Sequence, residues 1–211
     1  MSTLLHLDSS LNGGNSHTRK VTATFADAWK AANPDGTYAY RDLNVDPAPH
    51  MDALTYYSHQ TDPAEHNPRQ AEAYAVSKAI GDQVLDADVL VLGAPMYNFT
   101  IPTTLKSYLD HIGVPRFRTG PDGNGPLTGK KIVVVTSRGG SYAPGTPRQG
   151  DDHQEPLLRS FFRFLGAEDG LEFLHTEMAL SLVVPDLAQF KDIYDGTHSR
   201  ATECAKELAR A

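Results

Sequence analysis

Five short apolar runs are separated by longer stretches in which apolar residues recur three and four positions apart. Residues 3–7 form the first run and read as a strand. The sequence Leu11-Asn12-Gly13-Gly14-Asn15 then demands a loop. Over 16–32, Val21, Phe25, Ala28, Trp29 and Ala32 fall at helical spacing, and Asn33-Pro34-Asp35-Gly36 stops the helix. Residues 37–43 alternate weakly, as a second strand would. Residues 44–68 carry several prolines and read as a long loop with room for one short helix. A polar-faced helix is predicted over 69–85.

Residues 88–94 and 131–137 are nearly continuous apolar runs, the pattern of strands covered on both faces. Between them, 102–112 suits a helix with Pro102 in its first turn, and 113–129 is a loop rich in Gly and Pro. After a second long loop, 139–152, come an aromatic-rich helix (155–165), a fifth strand (171–176) and a closing helix (187–211). Strand and helix thus alternate five times, which predicts an α/β fold with a parallel sheet and helices on both faces. The early loop–helix junction fits the flavodoxin-like strand order 2-1-3-4-5. At 211 residues, without an internal repeat or a linker, the chain reads as one domain, 1–211.

Charge and composition remove several classes. Nineteen Lys and Arg against 26 Asp and Glu give a net charge of −7, the wrong sign for a nucleic-acid binder. The one cysteine, Cys204, excludes a disulfide framework and any multi-cysteine metal site, and reads as a packing residue. The first residues carry no basic or long apolar leader, and no apolar run is long enough to span a bilayer, so a cytoplasmic protein away from membranes is expected. His50, His59 and His66 share a loop with Asp62 and Glu65, but at no tight ligand spacing; they read as solvated, and no metal is expected. No Gly-x-Ser-x-Gly elbow supports a hydrolase.

In an open parallel sheet, ligands bind beyond the carboxyl ends of the strands. Beyond the first strand, Ser10, Ser16, His17 and Thr18 surround a helix start, whose free N–H groups and dipole favour an anion. A phosphate cradle and a plain capped helix both fit this segment. It is neither a Rossmann fingerprint nor a Walker loop. Beyond the third strand lie Met96, Tyr97, Asn98 and Phe99. Apolar and aromatic residues at a strand end suit a flat aromatic ligand, and packing on a loop or a second subunit is the alternative. Beyond the fourth strand, Ser137, Arg138, Gly139 and Gly140 would let backbone approach a flat ring, or simply turn the chain. Taken together, one strand end for phosphate and two for a hydrogen-bonding ring describe a flavin mononucleotide, FMN, better than a dinucleotide.

These residues resemble the FMN-dependent NADH-azoreductase family, whose members also act as quinone reductases. The resemblance runs over nearly the whole chain. It rests on Ser9-Ser10 and Ser16-His17-Thr18, on Ala94-Pro95-Met96-Tyr97-Asn98-Phe99 leading to Pro102 and Leu105-Lys106, on Thr128-Gly129-Lys130-Lys131, and on Thr136-Ser137-Arg138-Gly139-Gly140. It implies a flavodoxin-like homodimer with FMN at each interface. By this likeness Ser10 and Ser16 to Thr18 bind the FMN phosphate, and Met96 to Phe99 with Ser137 to Gly140 hold the ring. Phe99, Phe117 and Phe164 border the substrate cavity, Phe164 resembling a phenylalanine that enters the partner's site. The chain departs from the family pattern in Thr18, where a serine is frequent, in a shorter 113–119 segment with Thr119 in place of an aromatic, and in a longer loop after Ser141.

The resemblance implies hydride transfer from NADH or NADPH to FMN, then to a quinone or an aromatic azo compound over the same ring face, hence ping-pong kinetics. The flavin carries the chemistry, and no catalytic side chain is demanded. Two other readings stand beside it: a flavodoxin-type carrier passing single electrons to proteins, and a flavin-free binding protein that kept the fold.

Overall fold

The computed structural model describes residues 1–114, 120 and 124–211. Five parallel strands form one sheet in the order β2-β1-β3-β4-β5, as expected: β1 Thr3–Asp8, β2 Thr37–Asp42, β3 Val89–Pro95, β4 Lys131–Ser137 and β5 Leu171–Thr176. The helices are α1 His17–Ala32, α2 Ala53–Ser58, α3 Pro68–Asp86, α4 Thr103–Ile112, α5 Glu155–Phe164 and α6 Lys191–Leu208.

The period of two along the central strands divides the core into two layers. On one face, Leu90 and Leu92 of β3 and Ile132 and Val134 of β4 pack with Ile80 of α3, Leu105 of α4 and Phe162 of α5. On the other, Val91, Val133 and Val135 meet Val21, Phe25 and Trp29 of α1 and Ala201 and Ala205 of α6. The spacing of Val21, Phe25 and Trp29 therefore marks the buried stripe of α1.

The long loop after β2 is more built than its composition suggests. It contains α2 and a 3-10 turn, Pro63–Glu65. Asn67 and Gln70 form a reciprocal capping box that starts α3 at Pro68. Its histidines are fastened, although His50 stays exposed: His50 Nδ1 lies 3.1 Å from Ser107 Oγ, His66 Nε2 lies 2.9 Å from the Ser58 carbonyl, and the His59 ring packs on Tyr74. The closing helix is also shorter than its pattern. Pro185–Phe190 winds as a 3-10 turn with Pro185 in its first turn, and α6 begins only at Lys191.

Register sets where the strand ends fall. Pro95 of β3 lies opposite Ser137 of β4, and Asp8 of β1 opposite Gly93. The chain therefore leaves β1, β3 and β4 at one edge of the sheet.

Candidate active site

At the end of β1 the backbone is anchored before it turns. Ser9 donates from its N–H and its hydroxyl to the Gly93 carbonyl, at 3.0 and 2.7 Å. Ser10, Ser16 and Thr18 are all buried. Ser16 is the N-cap of α1: its Oγ accepts from the Arg19 N–H at 3.3 Å and lies 3.0 Å from Thr18 Oγ1. The first-turn amides of His17 and Thr18 have no partner within the helix, which leaves donors free at the positive end of the helix dipole. The His17 ring turns to α6, with Nδ1 2.9 Å from the Tyr194 hydroxyl. Burial, then Lys20 and His198, hold the His17 pKa below that of a free histidine.

Arg19 braces this loop from behind, a role no motif announces. Its guanidinium donates to the Ser10 carbonyl at 2.8 Å and to Asp42 at 2.7 Å. The Asp42 hydrogen bond raises the Arg19 pKa and lowers that of Asp42. Beneath it, Asp8 accepts from Tyr40 at 3.2 Å and from Thr22 at 3.0 Å. Burial, with the Asp8 charge, pushes the Tyr40 hydroxyl up to about 12.

After β3, Tyr97 and Thr100 exchange backbone hydrogen bonds of 2.9 and 3.1 Å around Asn98 and Phe99. Both central residues have positive φ, 48° and 70°. Asn tolerates this region, whereas a phenylalanine there is strained by about 1–3 kcal/mol. The turn holds Phe99 41% exposed and leaves the Asn98 and Phe99 amides outside the closing pair. Strain and an exposed ring at a strand end are features of a binding site rather than of a core.

The end of β4 lies beside this turn, because Met96 donates to the Ser137 carbonyl at 2.9 Å. The carbonyls of Arg138, Gly139 and Gly140 accept from Ala179, Leu180 and Met178. A Cβ on Gly139 would stand 2.8 Å from Leu180 Cδ1, so a larger residue here would push the half-exposed Leu180 side chain aside.

A cavity of about 530 Å³ opens between these two ends. Met96, Asn98, Phe99, Gly139 and Gly140 line it, together with Leu180 and Phe190 from the segment after β5. The loop after Ser141 closes one side through Tyr142, Pro147 and Arg148, and sequence reasoning named none of these three. Glu177 anchors that loop by accepting from the Ser141 hydroxyl and, at 3.1 Å, from the Tyr142 N–H. His153 donates to the Phe99 carbonyl at 3.1 Å, which ties the loop to the strained turn.

Several predicted residues stand elsewhere. The Arg138 side chain is only 4% exposed and turns away from the cavity into an acidic group, 2.8 Å from Asp152, 3.4 Å from Glu155 and 3.6 Å from Glu177. A guanidinium buried beside three carboxylates is held there by charge, so only its backbone serves the β4 end. Phe164 does not line the cavity of its own chain; it borders a groove with Lys106, Asp110 and Phe161. Ser10, Ser16, His17 and Thr18 stand outside the cavity lining as well. Tyr97 links the two regions, its hydroxyl 3.1 Å from the Leu11 N–H and 3.4 Å from Ser10 Oγ. Phe117 and Thr119 lie outside the described residues.

A hydroxyl-rich helix start joined through Tyr97 to an apolar cavity at the carboxyl ends of a 2-1-3-4-5 sheet defines a flavodoxin-like α/β protein. The family described as having a flavodoxin-like fold matches residues 2–192. Two relatives, each named FMN-dependent NADH:quinone oxidoreductase, come from Parafrankia sp. (42% identical, covering 100% of both chains) and Frankia casuarinae (43%, covering 98% of both). The chain belongs to this family. Among solved structures it resembles an azoreductase from Bacillus anthracis strain Sterne (25% identity, TM-score 0.83, covering 100% of this chain and 99% of that one). An FMN-dependent NADH-azoreductase from Bacillus anthracis strain Ames Ancestor, solved in complex with FMN, shares the fold (21%, TM-score 0.81, covering 99% and 100%).

Proposed function

We propose that the chain is an FMN-dependent NAD(P)H oxidoreductase that reduces quinones and aromatic azo compounds by two-electron, ping-pong hydride transfer. The observation that carries the reading is the strained Asn98–Phe99 turn, which lines one cavity with Gly139 and Gly140 and is tied through Tyr97 to the Ser10 loop.

The residues fit FMN. Three buried hydroxyls meet a helix start where the Arg19 guanidinium is already committed to Asp42, so dipoles and hydroxyls are there to receive a phosphate. Gly140 presents bare backbone to the cavity beside the Arg148 and Tyr142 side chains, 3.7 and 4.0 Å from where its Cβ would stand. The apolar side chains of Met96, Phe99 and Leu180 match a flat ring in chemistry.

When bound, FMN would supply hydride chemistry between the nicotinamide and the acceptor. Ser10, Ser16, Thr18 and the first amides of α1 would hold the phosphate. The amides of Asn98, Phe99, Gly139 and Gly140 would offer hydrogen-bond donors to the ring and favour negative charge on it. Phe99, Leu180 and Phe190 exclude water. Among the described residues no carboxylate or histidine lines the cavity, and burial keeps the Tyr142 hydroxyl protonated, so protons reach the product from water.

The same proposal makes the protein a cytoplasmic homodimer. The groove beside Phe164, itself 44% exposed, offers an apolar face to a second copy. No helix among the described residues is long and apolar enough to cross a membrane. Anaerobic mixing of FMN-loaded protein with NADH or NADPH, then with benzoquinone or methyl red, tests the reading. Fast bleaching and fast reoxidation are expected. Bound flavin that neither nucleotide bleaches would overturn it in favour of an electron carrier.

A further inference from the structure

Arg148 is the one charged side chain among the described residues that line the cavity. It sits on the loop between Ser141 and α5. Its guanidinium carbon lies 5.5 Å from the centroid of the Phe99 ring. The loop is not free to carry it away. Glu177 holds Ser141 and Tyr142, the Thr146 hydroxyl donates to the Ser141 carbonyl at 2.9 Å, and His153 is bonded to the Phe99 carbonyl. Within the loop, Arg148 meets Asp151 at 3.3 Å, and both side chains are about half exposed. A solvated pair of that kind holds its partner weakly and is easily exchanged for another anion.

Placed over an aromatic ring at an otherwise apolar wall, a guanidinium offers a planar fork to a sulfonate or carboxylate whose aromatic body lies over the flavin in the cavity. Resting on the FMN-reductase reading, we propose that Arg148 is the anion-recognising residue of the substrate cavity. It selects ligands that join an aromatic ring to a negatively charged group. The shared chemistry has two sources, an acceptor bearing sulfonate or carboxylate and the pyrophosphate of the nicotinamide donor, which visit the same cavity in turn.

The test compares Arg148→Gln, and Arg148→Lys as the charge-keeping variant, with the FMN-loaded parent. Calorimetry gives the affinity for naphthalene-2-sulfonate and for its uncharged sulfonamide. Turnover gives kcat/KM for 1,2-naphthoquinone-4-sulfonate and for 1,2-naphthoquinone, and a separate arm gives the NADH dependence of flavin bleaching. A charge-assisted hydrogen bond predicts that the sulfonate-to-neutral ratio falls about tenfold in Arg148→Gln and recovers in part in Arg148→Lys. A loss confined to the bleaching arm assigns the recognition to the donor's pyrophosphate instead. Ratios that stay unchanged in every arm, or neutral and charged ligands that weaken together, overturn the proposal and leave Arg148 as packing on Phe99. A parent that reduces neither quinone refutes the reductase reading, while the calorimetric ratio still decides the role of Arg148.

Discussion

The Tyr97 hydroxyl lies 3.4 Å from Ser10 Oγ, joining the loop after β1 to the turn after β3. The same oxygen accepts from the Leu11 N–H at 3.1 Å, so one side chain sets the spacing between the helix start and the apolar cavity. A net hydrogen bond of this kind is worth about 1 kcal/mol. Tyr97→Phe is therefore expected to weaken FMN binding about fivefold, read by flavin fluorescence titration, with a small drop in Tm. Unaltered affinity would mean that the two loops hold their spacing without it.

At Phe99, strain and packing oppose one another. Phe99→Gly removes about 1–2 kcal/mol of left-handed strain. It also costs about 0.5–1 kcal/mol in backbone entropy and gives up the contacts of a ring that is already half exposed. These nearly cancel, so stability in urea should move by less than about 1 kcal/mol. Turnover with benzoquinone should fall at least tenfold, because the ring and the aim of the Asn98 and Phe99 amides are lost together. A variant that is both fully active and equally stable would show that the strain serves nothing.

How much of this was legible in the sequence differs from residue to residue. The strands could be read because β3 and β4 are apolar on both faces, and Ser16 because a hydroxyl before a periodic run is a cap. Met96 and Phe99 stood out as apolar residues at a strand end. The left-handed pair could not be read, since Asn-Phe is no turn signature and the closing bonds come from Tyr97 and Thr100. The direction of Arg138 depends on Asp152, Glu155 and Glu177, which converge only after folding. Arg19 is likewise invisible as a brace until β2 brings Asp42 beside it. Arg148 belongs to no motif, and only the pinned loop carries it to the cavity.

Gly93 carries the register between β1 and β3. A Cβ there would fall 2.3 Å from Asp8 Oδ1 and 3.4 Å from Thr22 Cγ2. Asp8 has little room to yield, because Thr22 and Tyr40 both donate to it. Gly93→Ala is expected to cost about 1–3 kcal/mol as overpacking. Thermal melting checks this, and Tm should fall by several degrees with the loss shared by apoprotein and FMN-loaded protein.

The groove beside Phe164 gives the homodimer a direct test. Phe164 borders it with Leu157 and Phe161 of α5 and Leu109 of α4. Phe164→Asp would place a charge in a desolvated interface, so light scattering after gel filtration should show half the parent's mass at micromolar concentration. Quinone turnover should fall with it if the partner's ring completes the cavity. A parent that is itself monomeric would refute the homodimer.

Glu155 should govern the acid side of the stability profile. Its carboxylate meets His175 Nε2 at 3.0 Å and Arg159 at 2.6 Å, and these bonds, His175 foremost, lower its pKa from 4.5 to about 2. A carboxylate depressed in the folded state binds its proton more readily when unfolded. It therefore adds stability that is complete above about pH 4.5 and is lost as pH falls toward 2. A shift of that size would be worth about 3 kcal/mol at full strength. The carboxylate is partly solvated, and screening reduces this to about 1–2 kcal/mol. Glu155→Gln keeps the shape and removes the charge. Urea unfolding should find it about 1–2 kcal/mol less stable than the parent at pH 6, with the gap closing between pH 4.5 and pH 2. A gap that persists at pH 2 would assign the loss to packing at the start of α5 rather than to the charge.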